Sequence, residues 1–545
     1  MLFTNPFRGM RARGKILALL IIAALALACL APVGLGTRSD TVYAASSSNL
    51  PSEWPSFRGD PANKGITDAP TVKAIQDVKK KWEYKFREDS GGLVSSDPLL
   101  VDDKIYMAVS NGEYFMMTTN KLRLVALNKK GKLVKSVDIK GADGSDVGLP
   151  LSANMGYGAG KIYVPLTDGT ICAYDAKTLT LKWRSARISE DGANVISSII
   201  YKDGYLYSGV STGSADKGLF FALKASNGAL AWKYGTKGYY CAGAAFTDKA
   251  VFFAGDDGIL VSHALKSSTI FDTYNLDGAV RSETVINKSV VYATTKTGKL
   301  YRVPIAKNGK TFTDKDVKTT ALFGEDCSTE PVVYNNKIYT ISAKTAFDKS
   351  SLEVWDAKTL KKKSSVELGA YVNDEPLLTT AYANKDNGYK VYLYVLQNDA
   401  EDNLLLITDS AKMKTPTVKK LYGPGGDYAQ GSPIAASDGT IYFYHSYTTS
   451  SADFSVYYYE SRLVALENGA KKYTVKLDAN KGKVKPASLK VYREAKYGKL
   501  PTPTRKGYKF KGWYTKKSGG SKITAASTVK IKKTTKFYAH WTKKK

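Results

Sequence analysis

Short stretches in which apolar and polar positions alternate recur along most of the chain, with turn residues between them. Residues 328–360 show the unit whole. The apolar run Glu330-Pro331-Val332-Val333 leads to a polar turn at Asn335-Asn336, then to Lys337-Ile338-Tyr339-Thr340-Ile341 and Leu352-Glu353-Val354-Trp355, closed by Asp356-Ala357-Lys358-Thr359. A period of two over such short runs predicts half-buried antiparallel strands. The second strand, apolar and carrying Tyr or Phe, occurs eight times: at Lys104-Ile105-Tyr106, Lys161-Ile162-Tyr163, Tyr205-Leu206-Tyr207, Ala250-Val251-Phe252, Val290-Val291-Tyr292, Lys337-Ile338-Tyr339, Lys390-Val391-Tyr392 and Thr440-Ile441-Tyr442. One small four-stranded sheet cannot bury both of its faces, so the copies must stack on each other. The pattern predicts an all-β propeller of eight four-stranded blades.

The last copy lacks a strand. After Ser461-Arg462-Leu463-Val464-Ala465-Leu466 the sequence changes character at Asn468-Gly469, whereas Lys81-Trp82-Glu83-Tyr84-Lys85-Phe86 stands unassigned before the first innermost strand. Pairing the two would join the ends of the ring and remove an exposed edge, placing residues near Trp82 against residues near Leu463. From residue 471 a different module begins, with short alternating strands between Pro501-Thr502-Pro503 and Gly-rich turns, which indicates a second, compact β unit. The expected divisions are a signal peptide at 1–44, a flexible spacer at 45–53, the propeller at 54–470 and the module at 471–545.

Charge sharpens that division. The net charge is +30, yet residues 471–545 hold 24 Lys and Arg against Asp478 and Glu494, and residues 1–44 add a further +4. The propeller itself is close to neutral, so the basicity belongs to the module. Arg8, Arg11, Arg13 and Lys15, then an apolar run from Ile16 to Val33, then Tyr43-Ala44-Ala45, follow the order of a secretion signal cleaved after Ala44. An uncleaved signal would anchor the chain in a membrane. Cys29 sits in a poor lipoprotein context, and the Cys172, Cys241 and Cys327 left after cleavage are odd in number and scattered, so no disulfide framework is expected.

Two stretches carry family resemblances. Residues 54–67, WPSFRGDPANKGIT, resemble the entry segment of PQQ-like β-propellers, the family of bacterial quinoprotein dehydrogenases and many non-catalytic relatives. The third strands agree: Ala173-Tyr174-Asp175 leads through Leu181 to Trp183, and Ala222-Leu223-Lys224 through Gly228 and Leu230 to Trp232. In each, the turn residues tolerate a tight backbone and the Trp is placed to cover one blade's edge against the next. Tyr497-Gly498-Lys499-Leu500-Pro501, Phe510-Lys511-Gly512-Trp513-Tyr514 and Phe537-Tyr538-Ala539-His540-Trp541 resemble the Listeria-Bacteroides repeat, the B-repeat of internalin-type surface proteins, which implies a small β-grasp-like fold. One departure is Lys481, where that family commonly has a second Gly before Gly482.

The candidate chemistry lies at the channel. Asp97, Glu283, Glu330 and Glu375 open innermost strands, and cyclic repetition brings them toward one rim with Arg281, Asp374 and Cys327 nearby. Such a cluster suits a cationic or polyhydroxy ligand, or a hard cation such as calcium; the metal itself stays unknown, and solvated polar residues at a wet channel mouth are the plainer reading. Tyr239, Tyr240, Tyr371 and Tyr428 fall in the adjoining loops, where they could stack on sugar rings or a protein. The resemblance to quinoproteins would imply adjacent cysteines over the cofactor, a calcium site and a catalytic Asp; no Cys-Cys pair exists, and the other positions match no motif. His263, His445 and His540 lie too far apart for metal-ligand spacing. The expectation is a secreted or cell-surface, non-catalytic binding protein of Gram-positive type without a cofactor. Its propeller would present a face to a protein or glycan, and its basic module would associate with an anionic cell-wall polymer rather than with nucleic acid. The alternative is an enzyme, quinoprotein-like or other, working at the channel mouth.

Overall fold

The computed structural model describes residues 53–544 apart from 87–92, 95, 111–120, 151–152, 190–194, 212–216, 241, 328, 373, 400–403, 424–430 and 451–456. The signal sequence, nearly all of the spacer, Cys241 and Tyr428 lie outside the described residues. Eight sheets, antiparallel except for one short parallel strand added to blade 7, form the propeller and a ninth sheet forms the C-terminal module. All eight second strands stand where the alternation puts them, from Lys104–Ser110 in blade 1 to Ile441–Ser450 in blade 8. These strands are apolar on both faces because blades stack on both sides of each sheet. The outermost strands, such as Leu133–Asp138 and Lys362–Glu367, alternate with solvent and are mostly exposed.

Blade 8 closes the ring across the whole chain. Its outer strand is Val78–Lys85, antiparallel to Tyr457–Asn468, with Trp82 opposite Ala465 and Tyr84 opposite Leu463. The core is divided into wedges between neighbouring blades. Leu124, Ile162 and Cys172 fill the gap between blades 1 and 2, for example, and Leu352, Leu393 and Ile407 that between blades 6 and 7.

Tryptophans fix several of these joints. The indole N–H of Trp82 donates to Lys129 O at 2.9 Å, that of Trp183 to Ala225 O at 3.2 Å and that of Trp232 to Leu265 O at 3.0 Å, each in the turn of the following blade. The rings of Trp82 and Trp183 lie on Gly131 and Gly228, where a Cβ would come within 2.6 and 2.7 Å of the indole. Both glycines also have positive φ, so the position is closed to other residues twice over. Where no tryptophan precedes, Leu179 and Leu360 accept the left-handed turn themselves and bury their own side chains in the joint. Asp175 and Asp356 hold those turns by accepting backbone N–H groups two and three residues on.

The module is a five-stranded mixed sheet in the order Ser488–Tyr492, Lys472–Asp478, Thr535–Lys543, Tyr508–Tyr514, Lys522–Ile523, with a parallel central pair. Val475, Leu477, Trp513, Phe537 and Ala539 form its core. Lys481 takes φ 69°, the left-handed geometry that explains a glycine preference there. The module is docked on blades 7 and 8. Tyr492 and Ala495 join the propeller's own apolar cluster, the Tyr492 hydroxyl donates to Asn468 O at 2.8 Å, and Lys496 donates its backbone N–H to Ala381 O at 2.7 Å.

Candidate functional site

One position, two residues before each innermost strand, builds the site. Around the ring it holds Asp97, Asn154, Ser198, Ala242, Glu283, Glu330, Glu375 and Ser432. Equal offset from equivalent strands places these side chains at one level of the channel, and hydrogen bonds link them. Asp97 N–H donates to Asn154 Oδ1 at 2.7 Å; Glu283 faces Ser198 across blade 4; Glu283 N–H donates to Glu330 Oε1 at 2.8 Å. Glu330 and Glu375 share a hydrogen bond, the Ser432 hydroxyl donates to Glu375, and Ser432 N–H returns to Asp97 Oδ1 at 2.8 Å. Blade 4 has only Ala242 and Gly243 here, and a Cβ on Gly243 would stand 2.2 Å from Glu283 Cγ. That small pair gives Glu283 the room to reach Ser198.

The entry segment fills the channel behind this ring. Trp54 pairs with Leu100 of blade 1, Asn63 donates its amide to Ala244 O and Thr284 O of blades 4 and 5, and Ile66–Thr67 adds a parallel strand to Leu377–Thr379 of blade 7. Arg58 points from this plug into the ring. Its guanidinium lies 3.5 Å from Glu330 Oε2 and also donates to Asn63 O at 2.9 Å and to Lys64 O and Pro331 O. Both side chains of the pair are 1% exposed, so their attraction is hardly screened. A Cβ on Gly65 would meet Arg58 Nη2 at 2.6 Å, which makes that glycine part of the guanidinium's seat.

Five carboxyl groups around one guanidinium cannot all be ionised in such a place. Burial raises Asp97 to about 6 despite hydrogen bonds from Ser432, and raises Glu283 to about 7. Burial together with the Glu283 charge pushes Glu330 well above the usual carboxylate range. Asp374 and Glu375 are raised in the same way, by burial first and by neighbouring carboxylates second. The ring is therefore a set of carboxylic acids sharing protons around Arg58. Asp374 Oδ2 and the plug's Asn63 Oδ1 have no partner among the described residues.

Of the residues singled out in sequence, Asp97, Glu283, Glu330 and Glu375 come together. Arg281 does not join them: it pairs with Asp256 at 2.9 Å, with Tyr240 5.4 Å beneath its guanidinium. Cys327 turns away and its thiol donates to Thr295 O. Tyr239 is fully buried and the Tyr371 hydroxyl donates to Asp326, so among the described residues Tyr239, Tyr240 and Tyr371 form no common stacking face. Among the described residues no three His, Cys, Asp or Glu side chains are grouped so as to hold a metal ion. Sequence reasoning missed Arg58, although it lies within the entry motif; its place inside an otherwise turn-forming segment, directly before Gly59, was the available signal.

Comparison with known families matches residues 79–237 to outer membrane protein assembly factor BamB, a PQQ-like repeat, and residues 473–540 to the Listeria-Bacteroides repeat domain. The chain thus carries a PQQ-like propeller repeat followed by a Listeria-Bacteroides repeat. A comparison with curated proteins finds no match. Among solved structures it is similar to quinohemoprotein alcohol dehydrogenase from Comamonas testosteroni, at 14% identity and TM-score 0.54 over 77% of this chain and 81% of that one. A europium-containing methanol dehydrogenase shows 11% identity and TM-score 0.51 over 72% and 90%. BamB from Moraxella catarrhalis shows 11% identity and TM-score 0.48 over 72% and 99%. At these identities the likeness to the two dehydrogenases establishes the propeller fold alone.

Proposed function

We propose that this chain is an exported, non-catalytic binding protein of the cell envelope, in which the propeller presents a protein- or glycan-binding face and the basic module associates with an anionic envelope polymer. The observation that carries this reading is the separation of charge. Of the net +30, +22 sits on a folded β module docked beside a nearly neutral propeller. Such a surface draws polyanions over distances set by salt. The N-terminal sequence pattern supports export, and among the described residues no helix is long and apolar enough to cross a membrane.

The chemistry of the ring favours binding over quinone-dependent oxidation. An anionic quinone would find no free cation in the ring among the described residues, because Arg58 is already committed to Glu330 and to three backbone carbonyls. The plug also occupies the space behind the ring. The test is sedimentation of the full chain lacking residues 1–44 with purified cell walls, before and after chemical removal of their anionic polymers, across a salt series. Binding that needs the polymers and is released by salt is expected. Equal binding to stripped walls, or none at low salt, overturns the proposal.

A further inference from the structure

The module's sheet has one face on its core and one face that is open except at its Tyr492 end, where it meets the propeller, and the open part is both cationic and aromatic. Alternation turns Val475, Leu477, Phe537 and Ala539 inward, so Lys476 and Lys536 point outward. These two lysines are register partners in adjacent parallel strands. Lys490, whose ammonium donates to Thr474 Oγ1 at 2.8 Å, lies diagonally beside Lys476, and Lys522 stands on the same face above Gly512. All four side chains are exposed, and none forms an ion pair among the described residues. Like charges set side by side across two strands cost stability. Asp478, the acid on this face, has its carboxylate bound to Asn480 N–H.

Aromatic side chains continue the face. Tyr514 and His540 stack at 3.8 Å with planes 7° apart, and Tyr538 lies next to both, opposite Tyr514 in register. His540 is held by Lys516 O at 2.9 Å and the Lys536 ammonium is 5.9 Å from the Tyr538 ring. Strands about 4.8 Å apart carry the lysines in rows beside this platform. Flat rings next to spaced ammonium groups match a polymer that alternates carbohydrate carbon surface with anionic groups.

The geometry points to this open sheet face, centred on Lys476, Lys536, Tyr514 and Tyr538, as the binding surface for a linear anionic glycan, with phosphodiester or carboxylate groups on the lysines and sugar or polyol carbons on the rings. The inference rests on the envelope-binding reading above and gives it a location. The experiment uses the full chain lacking residues 1–44 and immobilised polyglycerol phosphate, polygalacturonate and an oligonucleotide of equal charge density. Two triple variants of equal net charge are compared: Lys476→Gln/Lys490→Gln/Lys536→Gln on the face, and Lys499→Gln/Lys530→Gln/Lys533→Gln elsewhere on the module. The face variant should lose about tenfold in affinity for an anionic glycan and the control no more than about twofold. Tyr514→Ala/Tyr538→Ala should weaken glycan binding further at high salt, where charge is screened. Preference for the phosphate or the uronate polymer identifies the anionic group. Equal losses in both triples overturn the face while leaving envelope binding intact. Equal affinity for the oligonucleotide overturns the glycan assignment. No binding by the unaltered chain to any polymer refutes the envelope reading itself. Unchanged thermal unfolding of each variant verifies that the fold is kept.

Discussion

The channel ring and the C-terminal module concentrate opposite charges in opposite ways. The ring gathers Asp97, Glu283, Glu330, Asp374 and Glu375 around Arg58 inside the propeller, where burial keeps protons on the acids. The module spreads most of its lysines over exposed surface, where their ammonium groups face solvent. The first arrangement ties charge to the fold. The second leaves charge to the surroundings, so its partners must come from outside.

Removing the ring's cation should have the largest effect. Arg58→Met removes the cation that offsets the negative charge the acids retain, together with the donor to Glu330 and three backbone carbonyls, and should cost about 3–5 kcal/mol of stability, read as a lower urea midpoint. Adding Glu330→Gln should restore part of that loss, and a strictly additive double variant would break the coupling described here. Next comes pH. Asp97 and Glu283 bind protons more tightly in the folded chain than in the unfolded one, where the same groups titrate near 3.8 and 4.5. The stability they supply is full below about pH 4 and is lost as pH rises through about 6 to 7. Urea midpoints should therefore fall from pH 5 to pH 8, and Glu283→Gln should flatten that slope. A midpoint independent of pH in both proteins would contradict the proton-sharing ring. The smallest effect belongs to the module: Lys476→Gln should change stability by less than about 0.5 kcal/mol at any pH in this range, as for an exposed side chain without a partner to lose.

Much of this was legible because repetition makes geometry cyclic. Eight copies of one strand pattern specify a ring, and a missing strand at one end with a spare at the other specifies its closure at Trp82 and Leu463. The same logic found four acids of the ring, since equal offsets from equivalent strands must converge. It failed where contacts cross the repeat. Arg58 meets Glu330 across 272 positions and belongs to no blade, while Arg281, two residues before the ring's Glu283, swings to Asp256. Ser198 and Asn154 carry no charge to draw attention, yet they complete the ring. Residue type marked the strongest charges, and only the folded chain shows which of them touch.

The closure of blade 8 also sets the order of events during synthesis. Val78–Lys85 is the first blade strand to be made, yet its partner Tyr457–Asn468 is the last. Until then an eight-residue amphipathic strand has no native neighbour, and such unpaired edges invite association with other chains. Ring closure at such separation is slow because the loop entropy must be lost before any contact compensates. Lys79, Lys80 and Lys81 on that strand supply the charge that keeps a waiting edge apart from its copies.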